Sequence, residues 1–254
     1  MTRKAKHPVA ASKKTIRIME SLKHHEGAKV SEIAEEFDMS KSTVHNHLST
    51  LREEGFVVQE GTEYRLGLRF LEFGGYARSR MPLYRIAEPE VERLAEQTGE
   101  LANLMTEQHG QGVYLLRSKG NRAVDFETYA GFRCPLHVPA AGKAILAHLP
   151  TERVEAIVDR HGLEPETPRT VTDRTELFDR LETVRDRGFA IDDEELVTGL
   201  RCVGVPITTA DGTVMGSLSI AAPTSRMGED RFTDEIPDLV RSAANVIELN
   251  INYA

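Results

Sequence analysis

The pattern of residues 30–66 constrains the fold of this chain more than any other feature. Apolar residues recur at helical spacing in two short segments separated by Asp38-Met39, namely Val30, Ile33, Ala34 and Phe37, then Val44, Leu48 and Leu51. Ser31 and Ser40 carry side-chain oxygens that can cap the starts of the two predicted helices. Residues 56–59 and 63–66 then alternate as strands around a short turn, which predicts a hairpin. This order predicts a winged helix-turn-helix, whose second helix enters the major groove of DNA.

Small and polar side chains at the start of the second predicted helix suit a major groove. We expect DNA contacts from this helix, the basic N-terminal arm and the wing, involving Lys13, Lys14, Ser31, Lys41, Ser42, Thr43, His45, Asn46, His47, Arg52 and Arg65. Asn46 can read adenine through two hydrogen bonds, and the lysines can neutralise phosphates. Winged helices that bind proteins share the same apolar pattern, so a metabolite-binding module with a protein-binding winged helix is the alternative.

Charge and composition limit the class of protein. The 254 residues carry a net charge of −8, with 40% hydrophobic and 28% charged residues, which is typical of a globular protein with a sizeable core. Residues 1–66 carry a net charge of +1 and the remainder −9. Beyond residue 66 lysine occurs only at Lys119 and Lys143, which hints at a salt-rich cytoplasm. The chain has two cysteines and neither an export signal nor a membrane span, so we expect a cytoplasmic protein with no membrane partner.

The rest of the chain alternates between helical and strand patterns. Strands are predicted at residues 101–108, 113–119, 124–128, 189–192, 200–207 and 214–221, and Asp211-Gly212 predicts a hairpin between the last two. Helices are predicted at residues 83–98, 152–161, 173–187 and 233–250, and a small-residue helix follows the loop that begins at Cys134. We therefore expect an α+β fold with a winged helix-turn-helix domain at 1–66, a linker helix at 67–82 and a domain at 83–254 built on an antiparallel sheet with flanking helices.

Two chemical alternatives involve the cysteines. Cys202, or Cys134 with His137, could act as a nucleophile and base in a cysteine-dependent hydrolase, with Asp192 as the orienting group. Cys202 lies in an apolar predicted strand, where a buried and inert thiol is the usual case. Cys134, His137 and His148 lack the paired spacing of a zinc site. We therefore expect no catalytic residue, no metal and no cofactor.

Several separated motifs resemble the IclR family of transcriptional regulators. They are the dipeptide Leu136-His137 and the segments 140–147, 188–195, 199–207 and 217–221, which read AAGKAILA, GFAIDDEE, GLRCVGVPI and SLSIA. With the winged helix before them, they extend the resemblance from about Lys13 to Asn250. The resemblance implies a GAF-like effector-binding domain, a homodimer or dimer of dimers, binding to double-stranded DNA at a palindromic operator, and control of catabolic genes by a small metabolite.

Matched position by position, the resemblance implies an effector pocket formed by Ala140, Ala141, Asp192, Leu200, Cys202 and Ser219. We expect an organic or sugar acid, held by amides and hydroxyls as at a helix N-terminus, because none of these six residues supplies a full countercharge. Related sequences often have glycine at Ala140 and serine at Ala221, so this pocket is less polar. They commonly have arginine at Asn46 and an apolar residue at His47, so the operator sequence differs as well.

Overall fold

The computed structural model describes residues 5–125 and 128–253. The chain divides into two compact units, Met1–Arg78 and Ser79–Ala254. The division at Arg78 assigns most of the predicted linker helix to the first unit, and the domain boundaries at 66 and 82 stay a prediction. Within the described ranges, none of the helices is long and apolar enough to cross a membrane.

The first unit is a three-stranded antiparallel sheet with helices. Its elements are α1 (Ala10–His24), β1 (Ala28–Lys29), α2 (Val30–Glu36), α3 (Lys41–Glu53), β2 (Val57–Glu60), β3 (Glu63–Leu66) and α4 (Arg69–Ser79). The strand order is β1-β3-β2, and β2 and β3 form the predicted hairpin. Ile18, Ile33, Val44 and Leu48 are fully buried in its core. The predicted winged helix-turn-helix is confirmed, with the short strand β1 as an addition that the sequence pattern did not indicate.

The two predicted helix caps have different outcomes. Ser40 caps α3, because its Oγ accepts a hydrogen bond from the Thr43 amide at 3.1 Å. The prediction that Ser31 caps α2 is wrong. β1 pairs Lys29 with Glu63, and α2 begins directly after it at Val30. The Glu32 carboxylate instead accepts a hydrogen bond from the Lys29 amide at 2.8 Å, which satisfies the helix start.

Helix α4 continues through the Gly74-Gly75 pair that is expected to weaken it. None of its residues is buried. Leu71, Phe73 and Tyr76 are exposed on it, and Leu68 is exposed just before it. The sequence therefore places an apolar surface on this helix within a chain that is acidic overall.

The second unit is built on one six-stranded antiparallel sheet. Its elements are α5 (Pro82–Thr98), β4 (Leu101–Gln108), β5 (Gln111–Lys119), β6 (Arg133–Pro135), α6 (Ala140–Ala147), α7 (Thr151–His161), α8 (Arg174–Arg187), β7 (Ala190–Asp193), β8 (Leu200–Thr208), β9 (Val214–Pro223) and α9 (Ile236–Tyr253). The strand order is β6-β5-β4-β9-β8-β7. Helices α5 and α9 share one apolar core with the sheet, and α6, α7 and α8 share a second. The predicted α+β class and antiparallel sheet are confirmed.

One predicted strand of this unit is wrong. Of residues 124–128, positions 126 and 127 lie outside the described residues, and the described ones are not in a strand. The Gly120 amide donates to the Glu100 carbonyl and the Arg122 amide to the Gly99 carbonyl, so the chain leaves β5 against the end of α5. The sheet is extended instead by β6, which pairs with the start of β5. The last helix also differs slightly, since a π-helical turn at Arg231–Glu235 precedes α9.

Candidate functional site

The first candidate site is the exposed face of α3. Val44, Leu48 and Leu51 are buried, and the helix exposes its opposite face, which includes Ser42, His45 and Asn46. The Ser40 hydroxyl lies 2.9 Å from the Ser42 hydroxyl and 2.8 Å from the Thr43 hydroxyl, which orders the first turn. Within the described residues, the Asn46 side chain makes no hydrogen bond. An ordered first turn followed by an exposed amide is an arrangement that can read base edges.

The structure separates the eleven predicted DNA residues into two groups. The residues of the first group are exposed to solvent: Lys13, Lys14, Ser31, Lys41, Ser42, His45 and Asn46. Thr43 is partly buried by its capping contacts. His47 instead lies against α1, where its Nδ1 is 2.8 Å from the Thr15 hydroxyl. Arg52 donates to the Gln59 side chain of the wing, and Arg65 pairs with Glu63 at 3.3 Å.

The second candidate site is a cavity between the sheet of the second unit and α6. All six predicted effector residues line it, as does Ala221, where related sequences often have serine. The cavity is also lined by residues that the sequence did not indicate: Leu101, Asn103, Tyr114, Arg117, Pro139, Leu196 and Val197. The space that water could occupy is about 20 Å³, which is room for roughly one water molecule. The walls are therefore almost closed upon each other.

Strand register explains why these residues meet. Asn103 on β4 lies opposite Ser219 on β9, which lies opposite Gly204 on β8. A Cβ atom at Gly204 would lie 2.6 Å from the carbonyl carbon of Ala140, so the start of α6 rests directly on the sheet at this glycine. The Ser217 hydroxyl donates to the Ala141 carbonyl at 2.8 Å. The small residues at the start of α6 are thus needed for close packing at one end of the cavity.

Asp192 forms the charged end of the cavity nearest α6. It is 1% exposed, and its Oδ1 accepts hydrogen bonds from the amides of Glu195 at 2.7 Å and Leu196 at 3.2 Å. Burial raises the pKa of its carboxyl to about 6, against the opposing effect of Lys143. Cys202 lies opposite Asp192 in the sheet, and burial together with this neighbouring carboxylate raises the pKa of its thiol well above the usual value.

A buried ion pair lies behind this end of the cavity. Lys143 of α6 donates to Glu195, and each side chain is 2% exposed. Arg180 also pairs with Glu195, at 3.2 Å. The carbonyl of Glu195 accepts a hydrogen bond from the Thr170 hydroxyl at 2.7 Å. The loop of residues 194–199, which contributes Leu196 and Val197 to the cavity wall, is therefore held from the opposite side.

Arg117 is the functional candidate that sequence reasoning missed. A β-bulge interrupts the pairing of β4 and β5, because the adjacent residues Leu104 and Met105 lie opposite Leu116 and Tyr114, so that the register passes over Leu115. Strict alternation places Tyr114 and Arg117 on opposite faces, whereas the extra residue lets both line the cavity. None of the six predicted residues is cationic, but Arg117 adds a guanidinium group to the cavity wall. The signal available in the sequence was a lone arginine within an apolar strand.

The cysteines are poorly suited to catalysis. Burial raises the pKa of the Cys134 thiol to about 12 and that of Cys202 well above its usual value. A thiol needs to ionise to act as a nucleophile. His137 lies 3.1 Å from the Glu164 carbonyl through its Nε2. In the ranges that the structure covers, no three histidine, cysteine or acidic side chains are grouped as metal ligands.

Comparison with known proteins identifies the family. Residues 12–61 match the family model of the IclR helix-turn-helix domain. Residues 76–249 match the family model described as "Bacterial transcriptional regulator IclR C-terminal". This chain belongs to the IclR family. It is an HTH-type transcriptional regulator with a DNA-binding unit and an effector-binding domain, as the resemblance implies.

Relatives of this IclR-family chain cover nearly all of it. The chain is 39% identical over 245 residues to the probable HTH-type transcriptional regulator ArcR of Halobacterium salinarum, covering 94% of this chain and 92% of that protein. It is 31% identical over 247 residues to the HTH-type transcriptional regulator KdgR of Escherichia coli, covering 96% and 94%. The crystal structure of the Thermotoga maritima IclR has a TM-score of 0.77 and 31% identity, covering 95% of this chain and 98% of that one. The two relatives ArcR and KdgR are both HTH-type transcriptional regulators by name.

Proposed function

We propose that the cavity of the second unit binds a small organic or sugar acid and that this binding changes how tightly α3 holds an operator. One observation supports this proposal above the others. Ala140 and Ala141 line the same cavity as Cys202 and Ser219, although at least 61 positions of sequence separate the two pairs. Backbone amides at the start of α6 and the Ser219 hydroxyl are suitable donors to an acid.

The small volume of the cavity supports regulation by a change of conformation. An effector with a carbon skeleton does not fit in a cavity of about 20 Å³, so the walls of the cavity separate when the effector binds. A ligand that binds only the open state shifts the population toward that state. Coupling between two sites of this kind is typically about 1–3 kcal/mol.

The proposed regulator acts in the cytoplasm as a homodimer or dimer of dimers and controls catabolic genes. The exposed apolar side chains around α4, including Leu68, Leu71 and Phe73, support burial of this helix in an assembly. A dimer would place two α3 helices in successive major grooves about 34–36 Å apart, on a roughly palindromic operator.

Titration of the full-length protein against the DNA flanking its own gene tests the DNA-binding part of the proposal. Asn46→Ala should cost about 1–3 kcal/mol on the specific operator and little on random DNA, because an amide that reads adenine is lost. Lys41→Ala should weaken both alike and reduce the slope of the salt dependence by about one. Lys119→Ala removes an equal charge from the second unit and should leave both affinities unchanged.

Two results would contradict this reading. Equal losses on operator and random DNA for Asn46→Ala would mean that the amide does not read bases. Equal affinity of the wild-type protein for operator and random DNA, at all salt concentrations, would favour the alternative in which the winged helix binds a protein.

A further inference from the structure

A groove of the second unit lies between α8 and the edge strand β7, apart from the effector cavity. It holds about 480 Å³ of space that water can occupy. The residues that line it are Lys143 on α6, Arg180, Thr183, Val184 and Arg187 on α8, Ile191 and Asp193 on β7, and Arg169 and Glu195 in loops. We propose that this groove is a second ligand site, which binds a small anion that carries hydroxyl groups. None of these nine residues lines the effector cavity, so the inference goes beyond the proposed function.

Helix α8 supplies one wall of the groove, because four of its residues share a face. Arg180, Thr183, Val184 and Arg187 are spaced three or four positions apart, which places them along one side of the helix. Val184 is buried, the two arginines are half-buried and Thr183 is exposed. The Thr183 hydroxyl donates to the Asp179 carbonyl at 3.1 Å, so its oxygen is left to accept a hydrogen bond.

Four basic and two acidic residues line the groove, and three of the basic ones already have acidic partners. Those ion pairs are Lys143 with Glu195, Arg180 with Glu195 at 3.2 Å and with Glu176 at 2.7 Å, and Arg169 with Asp193 at 3.0 Å and with Glu194 at 3.2 Å. Arg187 is the basic residue of the groove that forms no ion pair with any described residue. The charge that an anion can neutralise is therefore at Arg187.

The surroundings of Arg187 favour an anion. Its Nε donates to the Phe189 carbonyl at 2.6 Å, and its guanidinium carbon lies 4.5 Å from the centre of the Phe189 ring. Burial lowers the pKa of the guanidinium group, and the charge of Arg180 lowers it further, although the group stays ionised at neutral pH. A carboxylate or phosphate placed against Arg187 offsets both effects and matches the planar fork of its N–H groups.

Glu195 provides a second acceptor for hydroxyl groups of the ligand. Both of its basic partners contact Oε1, namely Nζ of Lys143 and Nη1 of Arg180. Its Oε2 is buried and has no hydrogen-bond partner within the part of the chain that the structure describes. Buried polar atoms are normally paired, so a donor brought by a ligand stabilises this oxygen. A hydroxyl is favoured over an ammonium group, because basic residues outnumber acidic ones in the groove.

The test is calorimetry on the full-length protein, with thermal denaturation as a second readout. Two probes are hydroxylated anions: gluconate, a carboxylate, and the phosphate ester of glucose at its primary hydroxyl. Glucose lacks the charge, and hexanoate lacks the hydroxyl groups. At least one of the two hydroxylated anions should bind the wild type at least about tenfold more tightly than glucose and hexanoate do. The tighter of the two identifies the anionic group that the groove prefers.

Variants of α8 locate the site. Arg187→Gln should weaken binding of the anion by about 10- to 100-fold, and Arg187→Lys should retain part of the affinity because it keeps the charge without the fork. Thr183→Val removes one acceptor at an exposed position and should weaken binding by about three- to tenfold. Arg185→Gln removes an equal charge from an exposed position of the same helix, outside the groove, and should bind as the wild type does.

The inference is overturned by a wild type that binds neither anion, by glucose or hexanoate binding as tightly as the anions, or by affinities in Arg187→Gln within twofold of the wild type. A ligand whose binding is weakened by Ser219→Ala but not by Arg187→Gln would lie in the effector cavity, which would retain the proposed function and reject this site. Circular dichroism confirms that each variant is folded, and Thr183→Val preserves the test should both Arg187 variants fail to fold.

Discussion

The ion pair between Lys143 and Glu195 makes a strong prediction about stability. Both side chains are 2% exposed, and burial lowers the pKa of the Lys143 ammonium group. Lys143→Met removes the cation that faces Glu195 and Asp192. Breaking a buried pair by removing one partner typically costs about 3–5 kcal/mol. Arg180 stays 3.2 Å from Glu195, although it is 42% exposed, so we expect about 3 kcal/mol.

A double-mutant cycle separates the electrostatic interaction between Lys143 and Glu195 from the packing of their side chains. Glu195→Gln leaves Lys143 buried with Asp192 as its remaining anionic neighbour and should also be destabilising. The double variant should cost less than the sum of the two, with a coupling energy of about 1–3 kcal/mol. The exposed pair of Arg174 and Asp159, at 2.6 Å, is the matched control, because Arg174→Met should cost at most about 1 kcal/mol.

The assay is urea denaturation of the full-length protein at pH 7, followed by circular dichroism, with the second unit's transition analysed separately. Strictly additive losses at Lys143 and Glu195 would refute the electrostatic argument. A loss at Lys143 no larger than that at Arg174 would refute the claim that burial makes this pair important.

Two further predictions concern Asp192 and helix α4. Because burial raises the folded-state pKa of Asp192 from 3.8 to about 6, its contribution to stability is fully present below the unfolded value and is lost as pH rises through about 6. Asp192→Asn should therefore lessen the fall in unfolding free energy between pH 4 and 6.5 by roughly 2 kcal/mol, in thermal denaturation, while the exposed Asp186→Asn should not. Leu71→Asp should shift the assembly toward monomer in light scattering, because it places a charge on the exposed apolar surface of α4. A wild-type mass for Leu71→Asp at all concentrations would remove α4 from the interface.

Elements defined by local signals were predictable from the sequence. Ser40 caps α3 and Asp211-Gly212 joins β8 to β9 because a cap or a tight turn depends on a few adjacent residues. The strand predicted at 124–128 failed for the opposite reason. Its residues have strand-like composition, but hydrogen bonds from Gly120 and Arg122 to the end of α5 direct the chain elsewhere. Contacts between distant segments override a pattern of this length.

In the candidate site, too, some residues were predictable from the sequence and others depended on contacts between distant segments. The resemblance predicted the six effector residues, because it assigns a role to each matched position of the sequence. It could not supply Arg117, because the bulge at Leu115 changes which face the residue occupies, and a bulge has no reliable sequence signal. It did not indicate the pair of Lys143 and Glu195 either, because matching the two motifs that contain them does not show that these side chains, 52 positions apart, lie in contact.

The cavity and the buried ion pair share one loop, so effector binding in this cavity, as proposed, would be linked to stability. Leu196 and Val197 line the cavity, and the adjacent Glu195 is held from behind by Lys143 of α6. Because the closed space is about 20 Å³, an organic effector enters only when the walls separate, and the free energy of opening lowers its apparent affinity. A ligand shifts an equilibrium only by its difference in affinity for the two states. Effector binding can therefore alter DNA binding if the open state is rare without effector and becomes populated when effector is present.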